Sequence, residues 1–197
     1  MRRFGAVSGR LSCGIGAVAI VLLALDRVLE PAGDAIPGGL LRVAILAPLA
    51  IGGVVAGFFM LRSQTGDRTT RRLLLAGAVA PFALVPAFVA AASGVGSVAV
   101  YGIVVAALIL CWAVYAGAIA FAGLRLRRAG EARATGQLLC GAGAGLMLQS
   151  IGGAGGLLFG PDRDWPDLLI QAGIAVGALF LTLLLTALAF TRRRPSA

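Results

Sequence analysis

The chain of 197 residues contains no lysine, no histidine and no asparagine. Without lysine it cannot form a phosphate loop of the G-x-x-x-x-G-K-[ST] type. Without histidine it has no zinc–histidine or haem–histidine site and no imidazole base. Its three cysteines, Cys13, Cys111 and Cys140, include no C-x-x-C pair, which excludes a thiol–disulfide relay of that kind; they read as small buried hydrophobes. The carboxylates form no pair deep in an apolar run, so a proton-driven pump or a metal-dependent lipid transferase is not expected. Ser93 and Ser150 have no activating base in view. No catalytic residue, cofactor or metal site is expected.

Charge is scarce as well. Only 13% of the residues are charged, against about 25% in soluble domains. What fills the chain instead is apolar: 59% of residues are hydrophobic, and the mean hydropathy is +0.97. Six apolar runs lie at about 11–30, 40–61, 73–92, 98–124, 138–160 and 168–190. Each approaches or exceeds the roughly 20 residues that carry a helix across about 30 Å of hydrocarbon. The period-2 alternation of a membrane barrel is missing. The expected fold is all-α: one six-helix transmembrane domain covering residues 1–197.

The seventeen basic residues, all arginine, orient this bundle. Arg2, Arg3 and Arg10 precede the first run. Arg62, Arg68, Arg71 and Arg72 follow the second, and Arg125, Arg127, Arg128 and Arg133 follow the fourth. Arg192, Arg193 and Arg194 follow the sixth. The other connectors and their flanks hold only Arg27, Arg42 and Arg163, and six of the eight acids, Asp26, Glu30, Asp34, Asp162, Asp164 and Asp167. The positive-inside rule then places both termini in the cytoplasm. Arginine in place of every lysine also points to a GC-rich bacterial genome, hence to the bacterial inner membrane. The basic face meets anionic inner-leaflet lipid. Nucleic acid is not an expected partner, because no basic domain with interleaved aromatics exists. The first run continues to Leu25 with no small-residue cleavage site closing a short core, so a retained first helix is expected rather than a cleaved signal.

The fifth run, LLCGAGAGLMLQSIGGAGGLLFG, carries no charge and many glycines. Its spacing does not match G-x-G-x-x-G, and no strand precedes it, so it is not read as a nucleotide loop. Gly141 and Gly145 are four apart, as are Gly152 and Gly156, which gives a small-residue stripe for close helix packing. IGGVVAGFF at 51–59 offers Gly52, Gly53 and Gly57 for the same use. The stripe fits internal packing, an oligomer interface or a broken helix at a cavity. The likeness of 51–59 to IGGAGGLLF at 151–159 leaves room for two inverted three-helix halves. Pro48 is expected to loosen the second helix ahead of its glycines, and Pro81 and Pro86 to kink the third.

Gln149 and Ser150 fall midway along the fifth run, where side-chain polar groups need partners. With Gln171, Trp112 and Tyr115 they outline a candidate midplane pocket; an interhelical hydrogen bond is the plainer use of the same groups. Asp26, near the outer end of the first run, is the most embedded acid and a candidate functional group. Two function classes follow: a non-catalytic accessory or scaffold component with a membrane-protein partner or a second copy of itself, and a small-solute transporter or substrate-binding subunit.

Overall fold

The computed structural model describes residues 2–29, 45–79, 98–128, 133–160 and 164–190, with side chains over 7–25, 45–79, 102–128, 133–160 and 164–190. The regular structure among these residues is entirely helical. It comprises α1 (Arg2–Leu29), α2 (Ala47–Gln64), α3 (residues 68–79), α4 (Val98–Arg128), α5 (Arg133–Phe159) and α6 (Asp164–Phe190). Over the described residues, all but α3 are long and apolar enough to cross a membrane.

The helices outrun the apolar runs that seed them. α4 continues to Arg128, and α5 begins at Arg133, five residues before its apolar run. Backbone hydrogen bonding does not stop where the hydrocarbon does. Three arginines in the last turn of α4 (Arg125, Arg127 and Arg128) also suit the negative end of the helix dipole. Pro48 stands in the first turn of α2, where a missing N–H costs little. Residues 45–46 just ahead of it are π-helical, and the start of the second apolar run lies outside the described residues. α5 ends at Gly160, which has φ +79° and whose N–H donates to the Gly156 carbonyl at 3.1 Å. A left-handed residue here is a glycine stop signal. α3 begins earlier than its apolar run because Asp67 caps it. Pro81, Pro86 and the rest of the third run lie outside the described residues.

Packing follows a chain of neighbours. α5 lies between α4 and α6, α6 also packs on α1, and α1 packs on α2, which touches α6 as well. The buried core threads these seams through Cys13, Phe58, Leu74, Ile119, Leu139 and Leu185. Its relation to hydropathy is inverted with respect to a water-soluble bundle. α4 has the highest hydropathy of the five long helices, yet only 17% of its span is buried. α5 is among the least hydropathic and is the most enclosed, at 39%. The most apolar helix thus turns outward, exposing Ile103, Leu110 and Val114. A contiguous apolar exterior of this kind is untenable in water and suits lipid. This is the architecture of a multi-pass helical membrane protein.

Candidate functional site

Among the described residues, a group of polar and aromatic side chains lies where α4, α5 and α6 meet. Gln149 stands halfway along α5, and its Oε1 accepts a hydrogen bond from the Trp112 indole of α4 at 3.2 Å. Trp112 in turn packs on Tyr115, one turn along the same helix, with ring centroids 5.6 Å apart and planes tilted by 49°. Tyr115 is buried. On the other side Gln149 rests on α6, and the seat exists because Gly173 has no side chain. A Cβ there would stand 2.7 Å from Gln149 Cγ and 2.6 Å from the Gly145 carbonyl oxygen.

Three of the five residues expected around a pocket therefore meet: Gln149, Trp112 and Tyr115. Ser150 is buried beside them, but its hydroxyl donates to the Leu146 carbonyl of its own helix at 3.0 Å. Gln171 is exposed and is not brought to the group. Asp26 falls within α1, but its side chain lies outside the described residues. Of the cysteines, Cys13 is buried, with Sγ 3.8 Å from Met60 Sδ. Cys140 is half-buried and Cys111 is exposed, so the expectation of three buried cysteines fails at Cys111, which lies on α4, the least buried span.

Glycines set the approach of the helices around this point. Gly145 of α5 lies so close to Gly177 of α6 that a Cβ on it would collide with the Gly177 backbone. One turn earlier Gly141 faces the Phe180 ring, and two turns later a Cβ on Gly152 would stand 2.6 Å from the Pro166 carbonyl oxygen. A Cβ on Gly156 would reach only the Pro166 side chain among the described residues, at 4.0 Å. Towards α4, Gly143 lies against Ala116 and Ala120, and Gly136 against Gly123. At the α1–α2 crossing, a Cβ on Gly53 would stand 2.5 Å from the Gly16 Cα. Gly57 accommodates Leu185 of α6, whereas Gly52 meets nothing within 4 Å among the described residues. Gly16, Gly173 and Gly177 complete contacts whose other halves were legible in sequence. The four-residue step from Gly173 to Gly177 was a usable signal.

A second polar cluster sits at the α2–α3 connection. Asp67 caps α3: its carboxylate accepts the backbone N–H of Thr70 at 3.0 Å and of Thr69 at 3.3 Å, and the Thr70 hydroxyl at 2.6 Å. Arg125, near the end of α4, reaches the same carboxylate at 3.5 Å while standing over the Phe121 ring. The Thr70 hydroxyl first, then the Thr70 and Thr69 amides and the Arg125 charge, hold the Asp67 carboxyl below its ordinary value. This capped ion pair ties the α2–α3 turn to the end of α4.

Comparison of the chain with known protein families, with curated proteins and with solved structures returns no match.

Proposed function

We propose that the chain is a non-catalytic, multi-pass component of a bacterial cytoplasmic membrane, with six spans and both termini inside. It acts as an accessory or scaffold subunit that associates with a membrane-protein partner or a second copy. Anionic inner-leaflet lipid gathers on its cytoplasmic arginines.

The observation that carries this reading is the use made of Gln149. The most central amide of the bundle is engaged by Trp112 and seated over Gly173, which is the work of a structural interhelical bond. A solute pocket would leave such a group facing an opening. The weakly buried face of α4, with Ile103, Leu110 and Val114 outward, adds apolar surface on which lipid or a partner helix can pack.

Native mass spectrometry of the protein released gently from its own membrane tests the proposal. A stoichiometric protein partner or a defined oligomer is expected. A retained small solute in place of any protein partner would overturn the reading in favour of transport.

A further inference from the structure

Among the described residues, one buried side-chain nitrogen or oxygen lacks a hydrogen-bond partner: Nε of Arg10. Arg10 is half-buried on α1, three residues inside the first apolar span, Val7–Leu25. That is about 4.5 Å from its start. Among the described residues, no carboxylate forms an ion pair with this guanidinium. A Cβ on Gly9 would meet the Met60 thioether at 3.3 Å, Cys13 packs on the same sulfur, and a Cβ on Gly14 would stand 4.0 Å from Ala189 Cβ. Of the two acids that sequence assigns to this end of the bundle, Asp67 is engaged by Thr69, Thr70 and Arg125, and Glu131 lies outside the described residues.

Buried polar hydrogens find partners in the great majority of cases, and an exception asks for a physical reason, a bound ion being one. A guanidinium near a membrane interface presents a planar fork that matches the oxygens of phosphate. We propose that Arg10 anchors a phosphate-binding site at the shared inner end of α1, α2 and α6, and that the phosphate is that of an anionic phospholipid headgroup or a free phosphate ion. The site rests on the orientation proposed above only for the leaflet that fills it. Its chemistry is the same whichever way the chain faces.

The test uses the full-length protein in nanodiscs of phosphatidylcholine containing phosphatidylglycerol. Both leaflets then carry the same lipids, so a wrong orientation cannot cause a negative result. Orientation is read separately, from protease access to a C-terminal tag in inverted vesicles. Native mass spectrometry counts the phosphatidylglycerol retained. The wild type is expected to hold one such lipid, and Arg10→Gln to hold it about fivefold more weakly. Arg72→Gln, which removes an exposed arginine, should leave that lipid in place. In a parallel arm, inorganic phosphate is added to the detergent-solubilised protein at constant ionic strength, and the Tm is followed.

Lipid retention that depends on Arg10 supports the headgroup as the source. A phosphate-induced rise in Tm that depends on Arg10, without lipid retention, supports the free ion. Equal behaviour of Arg10→Gln and Arg72→Gln in both arms overturns the site. Should Arg10→Gln fail to fold, Arg10→Lys serves in its place. It keeps the charge but loses the fork, and retention equal to wild type would also overturn the proposal.

Discussion

IGGVVAGFF in α2 and IGGAGGLLF in α5 share their opening I-G-G and closing Phe and are used differently. The second glycine of each string turns towards the preceding helix. Gly53 meets the bare backbone of Gly16, whereas a Cβ on Gly153 would meet the Ile109 side chain at 3.3 Å. The first glycines diverge further. Gly152 is pressed against the α6 backbone, and Gly52 has open space among the described residues. A glycine in a membrane helix thus contributes only what its neighbour can exploit. Where two backbones meet, no side chain can give way; where a flexible side chain fills the gap, it can.

Substitutions ranked by that difference should sharpen it. The largest loss is expected from Gly145→Leu, whose side chain would have to enter the Gly177 backbone; it should abolish folded protein on size exclusion in detergent. Gly16→Ala places one methyl against the Gly53 Cα. Overpacking of this kind costs about 1–3 kcal/mol, to be read as a lowered unfolding free energy in mixed micelles. Trp112→Phe keeps most of the ring and removes the bond to Gln149; a loss of about 0.6 kcal/mol is expected, and a larger one would mean that Gln149 has no other partner within reach.

The smallest effect concerns the exposed Asp67 cap. Because its folded-state carboxyl titrates below the ordinary value, its contribution is present above the unfolded value of about 3.9. That contribution is lost as pH falls through the lowered folded value. Asp67→Asn should therefore lower the Tm slightly at neutral pH, and the gap to wild type should close in acid.

How much of this was legible beforehand follows from what hydropathy can encode. Charge-free runs marked α4, α5 and α6, because length and apolarity are properties of one helix taken alone. Contacts are properties of pairs. Gly141, Gly145 and Gly152 were visible as a stripe, but nothing in α5 says that Gly145 would find Gly177 while Gly156 would find little. Helices that are apolar all round also hide which side faces inward. That is why Gln171, chemically the same as Gln149, could be set in the same pocket and yet is exposed. Trp112 and Gln149, 37 residues apart, were both candidates; the bond joining them depends on the α4–α5 register that Gly136 and Gly143 permit.

The claim that helices here are held by backbone contact is tested most directly by unfolding Gly145→Ala and Gly52→Ala in the same lipid nanodisc. Gly145→Ala should lose about 1–3 kcal/mol. Gly52→Ala should be unchanged or gain up to about 1 kcal/mol, since its added methyl meets no described neighbour and alanine favours the helix. Equal losses at the two positions, or a stable Gly145→Ala beside a destabilised Gly52→Ala, would contradict it.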